Sequence, residues 1–212
     1  AWLWSDIALW ESGRWHNGCV GSVGYGDSPA NDDSYFISNA RNLAPNGRAL
    51  EADVSKYVGS YAVVSQDTGV FDSERGELYS IKVLPDGTAL KACQAYLAMP
   101  ATWRRALLGN YITLSCRAYV PAATPAAQTP AIRIQGTGGA DITTYIPMTD
   151  EWVDVQATVF IPTSAVQTSL VIRFYANYSA ANTGTHPIYV SDIRVNIGAV
   201  PLLPNTPASD IF

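Results

Sequence analysis

Three groups of side chains have the types and spacing to do chemistry. Carboxylates come first, because a pair of them can hydrolyse a glycosidic bond. "DSPANDDSYF" supplies Asp27, Asp32 and Asp33, and "FDSERGE" (71–77) supplies Asp72, Glu74 and Glu77. Both stretches read as solvated loops, where turn formation and capping account for the acids without catalysis. The two imidazoles, His16 and His186, sit in loop-like contexts, and no GxSxG, HExxH or P-loop pattern occurs. Cys19, Cys93 and Cys116 are odd in number and lack the spacing of metal ligands. In "YITLSCRAYV" Cys116 shares a face with Ile112, Leu114, Ala118 and Val120, as a buried free thiol would. These residues point away from an enzyme.

Asp192 is the acid that most needs a partner. It lies in "IYVSDIRV" (188–195), otherwise a buried-strand pattern. Ionised carboxylates are not buried without compensation. Ile188 and Val190 set one alternation, and Ile193, Val195 and Ile197 set the opposite one. A kink or bulge at Ser191-Asp192 is therefore expected, with something offsetting the charge.

The elements that must position such residues are strands. Apolar residues alternate cleanly over 111–120, 152–161 and 169–176, and shorter strands fit 61–65, 78–84, 94–99, 131–135 and 143–146. Turn-forming clusters separate them, and helix is confined to a turn or two in "MPATWRRALLG". The pattern predicts an all-β, antiparallel two-sheet sandwich. Opposite the core positions lie Tyr111, Tyr119, Trp152, Phe160 and Tyr175. Arg117 and Tyr119 share a face of one strand, and Arg173 and Tyr175 share a face of another. If those strands were neighbours, the four would make a sugar platform, with rings for C–H faces and guanidinium groups for hydroxyls or carboxylates. Subunit interfaces favour the same residue types.

The 212 residues are 48% hydrophobic and only 15% charged, with a net charge of −5. That balance argues against nucleic-acid binding, which needs a basic stripe, and no apolar run is long enough for membrane insertion. Residues 1–41 hold four of the six tryptophans but too few apolar residues for a core of their own. They are expected to connect or oligomerise, burying Trp2, Trp4 and Trp10 against another subunit. Residues 199–212 are a proline-punctuated tail. The start has no signal-peptide pattern and no initiator Met, so the chain reads as a fragment or a processed product.

Five motifs in order resemble jelly-roll carbohydrate-binding modules. "NLAPNGRALEADVS" (42–55) is similar to their first strand, with Leu50-Glu51 at the usual Phe-Glu. "GELYSIKVLPDG", "LLGNYITLSCRAYVPA" and "DEWVDVQATVFIP" follow their inner strands, and "IYVSDIRV" their closing one. The resemblance runs from Asn42 to Gly198 and implies a jelly roll with an irregular Trp-rich N-terminal segment. It also implies a structural Ca²⁺ held by Glu51, Asp192 and backbone carbonyls, with Ser191 standing where many relatives have a second acid. Pairing of Asp192 with Arg194, or with a loop N–H, is the metal-free alternative. Modules of this kind also occur toward the C-termini of phage tail fibres and tailspikes. The implied function is a non-catalytic, homotrimeric virion domain that contacts host surface polysaccharide, stabilises the trimer, or both. The alternatives are a binding module of a secreted bacterial polysaccharide-degrading enzyme and a jelly-roll lyase.

Overall fold

The closing strand organises the molecule. β10 (Ile188–Ile197) is buried along nearly its whole length, which a run of Ile, Tyr and Val tolerates and an edge strand would not. In the computed structural model, which describes residues 42–45, 49, 54–99, 107–136, 140–163 and 170–201, nine more strands surround it. They are β1 (Val58–Ser60), β2 (Ala62–Asp67), β3 (Ser80–Pro85), β4 (Cys93–Ala98), β5 (Tyr111–Tyr119), β6 (Ala131–Gly136), β7 (Asp141–Tyr145), β8 (Trp152–Phe160) and β9 (Leu170–Asn177). All pairings are antiparallel. The first sheet has the order β1-β4-β9-β6-β7 and the second β2-β3-β10-β5-β8.

Alternation builds the core between the sheets. Ile172 and Phe174 of β9 and Ile132 and Ile134 of β6 face Ile112, Leu114 and Cys116 of β5 and Ile81 and Val83 of β3, all essentially inaccessible. Among the described residues the only helical element is one 3-10 turn, Ser73–Arg75. Gly59 is required by close packing, because a Cβ there would overlap the Ala62 carbonyl oxygen. The expected strands are present with small shifts at their ends, and β1, too short to show a period, is the strand the pattern missed. Residues 1–41 with Trp2, Trp4 and Trp10, and most of 199–212, lie outside the described residues, as does 100–106 of the expected helical stretch.

The bulge is present. β10 pairs with β5 at Ser191↔Arg117 and again at Arg194↔Ser115, so Asp192 and Ile193 together oppose Cys116. Asp192 takes a left-handed φ of 49°. This resets parity, so Ile188 and Val190 before it and Ile193 and Val195 after it all reach one core. The freed backbone is met by Asn42. Its amide donates to the Ile193 carbonyl at 2.9 Å and accepts from Val195 N–H at 2.9 Å, while Leu43 N–H donates to the Val195 carbonyl at 2.7 Å.

Candidate functional site

Asp192 is buried, and its charge is met by arginines. Oδ2 lies 3.3 Å from Arg194 Nη2 and 3.8 Å from Arg75 Nη1. Arg75 reaches on to Asp154 at 3.0 Å, Asp154 meets Arg117 at 3.3 Å, and Arg117 Nε donates to Asp72 Oδ2 at 2.6 Å. The result is an alternating chain of three guanidinium groups and three carboxylates, Asp72–Arg117–Asp154–Arg75–Asp192–Arg194. It crosses the outer side of the second sheet from the 71–77 loop through β8 and β5 to β10. The loop is therefore not simply solvated, since Asp72 and Glu77 are buried. From sequence only the pairing of Asp192 with Arg194 is anticipated; Arg117 is expected at a sugar platform, and nothing in the spacing of the 71–77 acids links them to it.

The expected calcium ligands divide. Glu51 lies outside the described residues, and Asp192 faces two guanidinium groups that repel a divalent cation. Among the described residues no three His, Cys, Asp or Glu side chains converge as metal ligands. The described contacts of Asp192 are those of an arginine-compensated carboxylate.

The four expected sugar contacts do not form one patch. Parity holds within each strand, but β5 and β9 belong to different sheets, so Arg117 and Tyr119 point away from Arg173 and Tyr175. Arg117 is buried and engaged by Asp72 and Asp154. The Tyr119 hydroxyl bonds Asp150 Oδ1 at 3.1 Å, and its ring packs on Trp152 and Tyr189. Burial raises its pKa first, and the Asp150 hydrogen bond adds to this. Tyr175 is 4% exposed, with the Tyr178 ring packed against it at 5.0 Å. Arg173 alone keeps a position suited to ligand contact.

Around Arg173 the outer face of the first sheet gathers residues the sequence did not link. Core positions alternate with Gln94 and Tyr96 on β4, Arg173 on β9, Arg133 and Gln135 on β6, and Thr143 and Tyr145 on β7. Register sets Tyr96, Arg173, Arg133 and Thr143 in one row across four strands. Tyr96 lies under the Arg173 guanidinium at 5.6 Å, and Tyr178 under that of Arg133 at 5.5 Å. Tyr145, 60% exposed, packs edge-on to Tyr178 at 6.0 Å. Arg133 grips Asp141 through two bonds of 2.8 and 2.6 Å, which hold the Asp141 carboxyl below its ordinary pKa. Rings, amides and guanidinium groups on one rigid sheet face can stack on a pyranose ring and bind its hydroxyls.

Elsewhere the described residues offer less. A groove of about 660 Å³ beside β1 and β2 is lined by Val54, Tyr57, Ala62, Val64 and neighbours, and the Tyr57 hydroxyl is already bonded to the Pro45 carbonyl at 2.7 Å. Cys116 is a buried free thiol as expected, its pKa pushed up to about 12 by burial, and Cys93 is also free and buried. His186 Nδ1 shares a hydrogen bond of 3.0 Å with Thr185 Oγ1.

No family model and no curated protein matches the sequence. Solved structures do. The fold is a jelly-roll β-sandwich. The tailspike protein 4 enzymatically active domain of bacteriophage CBA120 superposes with a TM-score of 0.52 at 12% identity, covering 77% of this chain and 22% of that one. The C-terminal family 22 carbohydrate binding module of Clostridium thermocellum Xyn10B gives a TM-score of 0.50 at 19% identity, covering 74% and 97%. An arabinose-bound α-L-arabinofuranosidase gives 0.53 at 10% identity, covering 76% and 27%. This sandwich therefore spans about a quarter of each of those two enzymes, and nearly all of the binding module.

Proposed function

We propose that this chain is a non-catalytic carbohydrate-binding jelly roll. Its ligand contact is the outer face of the first sheet. The observation that carries the reading is the row Tyr96, Arg173, Arg133 and Thr143, flanked by Gln94, Gln135 and the exposed Tyr145. The match over nearly the full length of a solved carbohydrate binding module supports it. Tyr145→Ala, which removes an exposed ring, and Tyr96→Ala, which removes the ring that supports the Arg173 guanidinium, should each weaken retention in gels carrying host capsule or lipopolysaccharide by about fivefold, roughly 1 kcal/mol apiece. Unchanged retention in both variants would remove this face as the site.

The setting we favour is the virion. There the domain would sit in a trimeric tailspike or tail fibre and contact the host surface polysaccharide. The likeness to a tailspike domain and the Trp-rich residues 1–41 support this. Native mass tests it. A particle of about 68 kDa, three times the 22.8 kDa chain, agrees with the trimer, and a stable monomer at micromolar concentration refutes it.

A further inference from the structure

We propose that the glycan this face takes is acidic, and that its carboxylate is gripped by Arg173; the inference rests on the carbohydrate-binding reading above. Arg133 and Arg173 are direct cross-strand partners on the outer face. Like charges placed so destabilise a sheet. Arg133 is compensated by the fork-to-fork pair with Asp141. Arg173 feels Asp141 only through space. Its described contacts are Gln94, whose Oε1 accepts from Nη1 at 2.8 Å, and the ring of Tyr96. Its Nε is buried with no hydrogen-bond partner. A shielded donor of a charged group left unmade costs stability.

Gln94 and Tyr96 hold the guanidinium in place rather than neutralise it. An immobilised, half-buried guanidinium that no described carboxylate pairs with suits a glycan carboxylate at its exposed edge, and a neutral sugar would leave its charge unanswered. From β4 to β7 the face crosses three strand spacings, about 14 Å, long enough for a short oligosaccharide around that guanidinium. Gln135 and Thr143 stand on the same face for its hydroxyls.

The test uses the full chain and three acidic glycans: polygalacturonate, alginate and hyaluronan. Each is compared with its carboxyl-reduced counterpart, which keeps the backbone and loses the charge. Dextran sulfate reports attraction to charge alone. At least one acidic glycan should bind at least tenfold better than its reduced form. Arg173→Gln should lose about ten- to a hundredfold of that binding and Arg173→Lys less, the range expected for charge-assisted hydrogen bonds. The ligand-free Arg173→Gln protein should melt no lower than the parent, because a repulsion has been removed. A marked drop would make Arg173 a structural residue and overturn the inference. Equal binding of acidic and reduced forms overturns it too and leaves the carbohydrate-binding reading standing. Equal competition by dextran sulfate, or no binding to any of the six glycans, also overturns it. A change of native mass in Arg173→Gln would make the face a contact between copies, and both readings would fall.

Discussion

Cutting the charge chain at its shortest link, which is also well buried, should be costly, and in a way that identifies the link. Arg117 Nε and Asp72 Oδ2 are 2.6 Å apart, with side chains 10% and 0% exposed. Arg117→Met leaves Asp72 as a carboxylate inside protein, and its Oδ1 already has no donor. Removing one partner of a buried pair costs about 3–5 kcal/mol. For a chain of this size that is a fall of roughly 6–20 °C in Tm. Asp72→Asn should cost less, about 1–2 kcal/mol, because an amide oxygen can still accept from Arg117 and Asp154 remains beside it. In the double variant no charge is stranded, so its cost should fall short of the summed single costs by about 2 kcal/mol or more. Urea unfolding followed by Trp fluorescence measures all three. Additive costs, or a cost for Arg117→Met below about 1 kcal/mol, would show that the pair is screened by water and that the chain contributes little to stability.

Three more outcomes follow from the geometry. With Asp192 set between Arg75 and Arg194, chelator should leave the melting curve unchanged, whereas a fall in Tm that Asp192→Asn abolishes would establish the Glu51–Asp192 calcium site instead. Asn42→Ala should destabilise by about 2–4 kcal/mol in urea unfolding, since it strands the Ile193 carbonyl and the Val195 N–H at the bulge; a loss under about 0.5 kcal/mol would mean other groups satisfy them. The Asp141 carboxyl is lowered in the folded state, so its contribution is present above the ordinary carboxylate range and is lost as pH falls through the lowered value. NMR titration of that carboxyl should show the low value, and its return to the ordinary range in Arg133→Gln; an ordinary value in the parent refutes the pairing.

Strand parity was legible because one face of each strand is apolar, and the opposed alternations of "IYVSDIRV" placed the bulge to the residue. What parity cannot report is which sheet a strand joins. Arg117-x-Tyr119 and Arg173-x-Tyr175 look alike in sequence, yet the first pair lies on the second sheet, where Asp72 of the 71–77 loop engages Arg117, and the other belongs to the first sheet. The proposed binding row suffers the same limit, since Tyr96, Arg173, Arg133 and Thr143 come from four separated strands. Only the first sheet's order makes them neighbours, and their spacing along the chain carries no trace of it. Asn42 stands in a motif that resembles a first strand, but its hydrogen bonds depend on where the β10 bulge comes to rest.

The alternating chain also works as a spelling check on strand order. Sliding β8 against β5 by one residue would turn Asp154 away from Arg117 and bring Val153 or Val155 opposite a guanidinium. Sliding β10 would move Asp192 off the turn of the backbone that lets it face Arg75. Either error breaks a charge pairing that the native register makes, so a mispaired sandwich carries a penalty at a surface where the hydrophobic contacts alone would accept many near-misses.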